Sequence, residues 1–303
     1  MSALHLVAAL SLNPVSDLEQ MTEYPFMVNA LWAGTIVAVM AGAIGWFMVL
    51  RRQTFAGHTL SVIAFPGAAG ATLAGLPIAF GYFGACGAAA VLLAAVSGRE
   101  RGSHADETAA IGTLQAAGLA LGFLFVVLYG GQLSGLEALL FGTFLGITTA
   151  QVQTLLWIAV ASLATLAVIA RPLLFASVDG AVARAAGVPT RLLALAFLLL
   201  LGLAVAATAE ITGALLVFAL LVTPAATAQQ LTPRPALGLA LSVGLALAVT
   251  WIGLTIAFFS PHPVGFWVTS LSFGLFVIVR VGAGLARGRH PRGATPAGLA
   301  EAA

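Results

Sequence analysis

Apolar residues fill this chain in long runs, each interrupted by only a few polar or proline-bearing positions. A helix needs about 20 mostly apolar residues to cross a bilayer. Nine runs approach or exceed that length, near 27–50, 58–76, 78–97, 107–129, 150–170, 191–208, 211–229, 236–259 and 264–281. The pattern predicts an all-α fold, a polytopic transmembrane helical bundle of nine spans, with eight as the alternative count. Residues 1–25 are expected to form an extracytoplasmic leader, 26–283 one membrane domain, and 284–303 a disordered cytoplasmic tail.

Composition points the same way. The 303 residues are 61% hydrophobic and 7% charged, against about 25% charged in a typical soluble domain. Water is not the main solvent of such a chain, and no stretch remains for a soluble catalytic domain. Basic residues then orient the bundle, because Arg and Lys near span ends are retained on the cytoplasmic side. The 12 basic residues are all Arg. They follow the first run (Arg51, Arg52), the third (Arg99, Arg101), the fifth (Arg171, Arg184, Arg191), the seventh (Arg234) and the ninth (Arg280, Arg287, Arg289, Arg292). Nine spans place all of them on one side, with the N-terminus outside and the C-terminus in the cytoplasm; a miscounted span would scatter them. The formal net charge of +2 is spread over short loops, which fits membrane orientation and not nucleic-acid binding.

Smaller features refine the picture. Residues 3–12 are apolar but too short to span, and they lack the charged start of a signal peptide, so an interfacial or disordered leader is expected. Cys86 is the only cysteine, which excludes an internal disulfide and a cysteine-based metal cluster; it reads as packing. Glycine and alanine are dense inside the runs, as in Gly67–Gly75 and Gly84–Ala90. Small residues let helix backbones approach closely where lipid removes the hydrophobic driving force. Pro66 and Pro224 lie inside runs, and each frees a carbonyl that must find a partner or line a polar cavity. Such kinks occur in transporters and in inert bundles alike. The outward stretch from Tyr129 to Ala150 holds an apolar run too short to cross and reads as interfacial or re-entrant, with Glu137 as a helix cap.

The segment from Arg171 to Arg191 is longer than a turn requires. Asp179 can cap a short helix that carries Ala181, Val182, Ala185 and Ala186 on a small-residue face, with Gly187 and Pro189 as its stop. Such a helix has two plain readings: it rests on lipid headgroups, or it fits a groove on another protein.

Three segments together resemble the metal-ion permease family of ABC importers, whose members move zinc, manganese or iron. They are Phe47–Ala71 (FMVLRRQTFAGHTLSVIAFPGAAGA), Asp179–Gly187 (DGAVARAAG) and Gly213–Leu231 (GALLVFALLVTPAATAQQL); weaker similarities lie at Asp106–Gly112 and Leu139–Thr148. In order and spacing they cover residues 26 to about 283. The resemblance implies a permease subunit in the plasma or inner membrane, multi-pass, paired with a second copy or a close paralogue. Two ATPase subunits would sit beneath it and an extracytoplasmic metal-binding protein would dock outside. No G-x-x-x-x-G-K-[ST] phosphate loop occurs in the chain, so the subunit is expected not to be an enzyme and ATP chemistry must come from another chain. The segment around Asp179, Ala183, Ala186 and Gly187 would then couple to the ATPase, while Pro66, Gly67, Gly213 and Pro224 would serve as kink and packing positions. No resident cofactor is expected; the divalent metal is the cargo, zinc or manganese ahead of iron.

Family members commonly carry Asp and His four residues apart in the second span, a spacing that points both to one helix face. Here these positions hold His58 and Val62, and valine cannot ligate a metal. An ionisable residue within a span is costly and defaults to a functional hypothesis, and imidazole suits zinc, copper, iron or nickel. The plain alternative is a histidine hydrogen-bonded to backbone or headgroup at the span's cytoplasmic end. Thr59 and Ser61 offer weak hydroxyl ligands. Glu210 is expected in the outward break between spans six and seven, where it caps a helix or draws cations to the mouth. His262 lies outward in a proline turn, Asp106 and Glu107 suit the N-terminal end of span four, and His104 and His290 read as solvated. An ion-coupled secondary transporter is the rival reading, though it would normally carry more embedded charge. No H-E-x-x-H pair supports an intramembrane enzyme. A cysteine introduced within residues 171–191 is expected to react with a membrane-impermeant thiol reagent only from the cytoplasmic side; labelling from outside intact cells would overturn the orientation.

Overall fold

The structure, a computed structural model, describes residues 19–97, 104–130, 142 and 146–288. Every regular element among them is helical. Ten α-helices follow one another: α1 Pro25–Leu50, α2 Thr54–Leu73, α3 Ile78–Ser97, α4 His104–Tyr129, α5 Thr149–Val178, α6 Gly180–Ala185, α7 Thr190–Thr212, α8 Ala214–Leu231, α9 Pro235–Phe258 and α10 Val264–Gly288. The end of the expected leader contributes a helical turn at 19–22 whose Met21 is fully buried. Residues 1–18 and Glu137 lie outside the described residues.

Seven of the long helices (α1, α3, α4, α5, α7, α9 and α10) are long and apolar enough to cross a membrane. The two that fall short, α2 and α8, are surrounded by protein. Helix α2 packs on α3, α4, α7 and α8, and α8 packs on α1, α2, α7, α9 and α10. A helix lined by other helices can carry polar residues that lipid would penalise, as α2 does with His58, Thr59 and Ser61. Helices α4, α5 and α10 turn most of their apolar residues outward, including Val127, Val168 and Ile278, as lipid-facing surfaces do.

Several ends differ from the expected ones. Helix α5 does not stop near residue 170 but runs on through Arg171 and Pro172 to Val178, 30 residues in all, or about 45 Å. Its start is secured by a capping box in which Gln151 N–H donates to Thr148 Oγ1 and Thr148 N–H donates to Gln151 Oε1. Helix α7 extends to Thr212, so Glu210 lies inside its last turn and not in a break. Helix α10 reaches Gly288, past the expected start of the tail.

Glycines set the closest helix crossings. A methyl on Gly67 of α2 would strike the Gly81 carbonyl of α3, and one on Gly81 would strike the Gly67 carbonyl, so the two backbones touch. Gly45 of α1 lies in the same way on the Leu221 carbonyl of α8. Gly34 and Gly42 of α1 meet Thr250 and Val243 of α9, which makes that pair antiparallel. Polar side chains add cross-links: Ser242 Oγ donates to the Gly42 carbonyl at 2.7 Å, Gln229 Nε2 to the Trp46 carbonyl at 2.9 Å, and Trp251 Nε1 to Thr35 Oγ1 at 2.9 Å. Such bonds contribute about 0.6 kcal/mol each on average in a membrane protein.

Helices α7 and α8 are joined by Gly213 alone, with φ 75° and ψ 156°, a conformation essentially restricted to glycine. Phe197 near the start of α7 and Gln229 near the end of α8 both return to the C-terminal end of α1. The chain therefore reverses at Gly213, and Gly142 is pressed against this tip at Ile211–Gly213. Pro66 lies inside α2, where Gly122 of α4 makes room for it, and Pro224 lies inside α8. Gly45→Ala is expected to destabilise the purified protein by about 1–3 kcal/mol, the usual cost of overpacking. Gly244→Ala, facing open space, should leave it unchanged or slightly raised; thermal unfolding in detergent compares the two.

Candidate functional site

His58 sits one turn into α2. Its half-buried ring lies against Phe218 of α8, with centroids 4.7 Å apart and planes inclined at 59°. Nδ1 is buried and has no hydrogen-bond partner among the described residues. A buried ring nitrogen without a partner is costly in a resting protein, by about 1–3 kcal/mol, and it offers a donor atom to an incoming group. The neighbouring hydroxyls are committed elsewhere. Thr59 Oγ1 donates to the Phe55 carbonyl at 2.9 Å and accepts from Gln115 Nε2 at 2.8 Å, while Ser61 Oγ donates to the His58 carbonyl at 2.8 Å. Both hydroxyls, read from the sequence as weak ligands, are engaged in these bonds. Val62 follows one turn on and is half-buried.

Glu210 is half-buried and lines a cavity of about 150 Å³ with Ala150, Gln151, Thr154, Leu155, Ile158, Ala207 and Ile211. Tyr82 of α3 is within electrostatic reach of its carboxylate. The cavity lies where α5 begins and α7 ends. Phe197 marks the opposite end of α7, beside Arg51; from there to Glu210 is about 20 Å along the helix. His58 lies in the first turns of α2, the helix that follows Arg51, while the ring it meets, Phe218, lies about 7 Å along α8 from the reversal at Gly213. His58 is not among the residues that line the Glu210 cavity. Among the described residues no group of three His, Cys, Asp or Glu is placed to hold a metal ion.

The segment after α5 folds into α6 of six residues, capped by Asp179, whose Oδ1 accepts from the Ala181 and Val182 N–H groups at 3.0 Å each. The helix ends in a paired reversal: Gly187 N–H donates to the Arg184 carbonyl and Val188 N–H to the Ala183 carbonyl, both at 3.0 Å, with Gly187 at φ 82°. This double bond pattern satisfies the last carbonyls, and the left-handed residue is the reason for glycine. Ala181, Val182, Ala185 and Ala186 are all exposed. Ala183 is fully buried, facing the bundle through the contacts of α6 with α5 and α7. The expectation that Ala183 takes part in partner contact is corrected accordingly: it seats the helix, and its four neighbours form the free face.

Other residues have simpler places. Cys86 is fully buried, its Sγ 3.6 Å from the Leu60 carbonyl. His262 is exposed, and its Nδ1 pairs with Ser260 Oγ at 2.9 Å within the turn. Helix α4 begins at His104 and includes Asp106 and Glu107. Phe218 and Gln115, which build the surroundings of His58, carried no sequence signal beyond a lone glutamine in an apolar run.

A bundle of apolar helices joined at glycine crossings, with a short helix displayed at its arginine-bearing end, defines a polytopic membrane protein. The chain belongs to the ABC 3 transport family, whose profile matches residues 23–282. The manganese transport system membrane protein MntC of Halalkalibacterium halodurans is 31% identical over 216 residues, covering 71% of this chain and 73% of that protein. The chelated iron transport system membrane protein YfeC of Yersinia pestis is 30% identical over 256 residues, covering 84% and 85%. Among solved structures, PsaBC from Streptococcus pneumoniae in complex with a Fab matches with a TM-score of 0.76 and 27% identity over 88% of this chain and 94% of that one. This membership sets aside the ion-coupled secondary transporter. Asp179→Ala removes the cap of α6 at a cost of about 1 kcal/mol, so amide exchange at residues 181–185 is expected to accelerate about fivefold; unchanged exchange would show that the carboxylate does not hold the helix.

Proposed function

We propose that this subunit forms, with a second copy or a close paralogue, the membrane pathway of an ATP-driven importer for a divalent transition-metal ion. Manganese or iron is favoured by the names of the relatives, and zinc follows. Membership of the ABC 3 transport family across residues 23–282 carries the proposal. In this reading nine helices span the cell membrane, with α2 and α8 crossing inside the bundle, the N-terminus outside and the C-terminus in the cytoplasm, as the arginine positions favour. An ATPase engages the exposed face of α6, and an extracytoplasmic binding protein delivers the metal.

His58 is the proposed contact for the ion within the pathway. A single imidazole leaves the ion most of its water and suits transit, since conduction needs binding strong enough to enter and weak enough to leave. Glu210, with its cavity at the outer end, is proposed to draw the cation in. Uptake of manganese(II) by vesicles holding the permease and its ATPase is expected to require ATP. His58→Ala is expected to lower that uptake roughly tenfold, the scale on which losing one metal partner acts, with the protein still present in the membrane. Normal uptake by this variant would remove His58 from the mechanism.

A further inference from the structure

Orienting a span needs a basic residue near the membrane surface and nothing more. Arg52, exposed in the turn after α1, meets that need. Arg51 does something different, because its half-buried guanidinium is spent on protein contacts. Nε donates to Gln53 Oε1 and Nη1 donates to Ser177 Oγ, both at 3.3 Å, and the central carbon lies 5.5 Å from the centroid of the Phe197 ring. These partners belong to three separate elements. Gln53 is the residue before α2, Ser177 is the penultimate residue of α5, and Phe197 is a fully buried ring of α7.

Each partner leads further. Ser177 Oγ donates to the Leu173 carbonyl at 2.5 Å, and two residues beyond it Asp179 caps α6. The Gln53 carbonyl accepts from the Gly57 N–H at 3.0 Å, and Gly57 is closed against the Met48 sulfur, directly before His58. An unbroken series of contacts thus runs from α6 through Ser177, Arg51 and Gln53 into the first turn of α2.

We propose that Arg51 is a positioning residue that transmits displacement of α6 and the end of α5 to the start of α2, and so to His58. This rests on the reading that an ATPase engages α6. The guanidinium fork suits this place because its planar, rigid geometry holds two N–H donors and a face toward the ring at once, whereas an ammonium is a flexible point charge.

The test uses the full permease with its ATPase in proteoliposomes and manganese(II) as the transported probe, recording both ATP hydrolysed and metal taken up. Arg51→Gln, Arg51→Lys and the milder Ser177→Ala are each expected to keep ATP hydrolysis and the apparent KM for manganese(II). Metal moved per ATP should fall by about fivefold or more, the range of ordinary coupling between sites. The double variant Arg51→Gln with Ser177→Ala should be no worse than Arg51→Gln alone, since both break one link. An unchanged ratio in Arg51→Gln and Ser177→Ala would overturn the proposal, as would loss of hydrolysis and uptake in equal proportion. Wild-type uptake indifferent to ATP would instead overturn the importer reading, and this one with it.

Discussion

The architecture depends on backbones touching. In lipid, apolar side chains gain nothing by leaving their surroundings, so helices associate through close van der Waals contact and a few polar bonds. The crossings of Gly67 with Gly81 and of Gly45 with the Leu221 carbonyl leave no room for even a methyl group. Through them α2 and α8 are held inside a wall of other helices. That enclosure lets α2 carry imidazole and hydroxyl groups that an unshielded helix would expose to lipid.

Within this enclosure several polar groups are turned to a structural purpose. Thr59, Ser61 and Gln115 bond to backbone or to one another, and Ser242, Gln229 and Trp251 tie helices together. The Nδ1 atom of His58 has no such bond, and among the six buried side-chain polar atoms of the described residues that lack one it is the only imidazole nitrogen. Its position beside Phe218 also couples α2 to α8, so movement between these helices would change what the imidazole meets.

Much of this was legible along the chain. Apolar runs located the helices, Asp179 and Gly187 marked the ends of α6 through local capping chemistry, and small-residue stretches marked the crossing at Gly67. What hydropathy could not read was where helices end. It reports where lipid ends, and α5 continues for two turns beyond that, through Arg171 and Pro172, because nothing in water stops a helix that has a packed neighbour. Glu210 was misplaced for the same reason: a polar residue closed the apolar run, whereas the helix itself stops at Gly213, where the backbone turns left-handed. The burial of Ala183 and the contact of His58 with Phe218 depend on tertiary packing, which leaves no periodic trace in a sequence apolar on every side.

The length of α5 has a mechanical meaning. At about 45 Å it exceeds the roughly 30 Å hydrocarbon core by half, so α6 is borne at the tip of a rod that projects beyond the lipid. A tilt of about 5° about the opposite end would swing that tip by about 4 Å, roughly three quarters of the rise of one helical turn. A protein grasping α6 therefore holds a long lever arm, and a modest rotation inside the bundle becomes a stroke large enough to be felt at its grip.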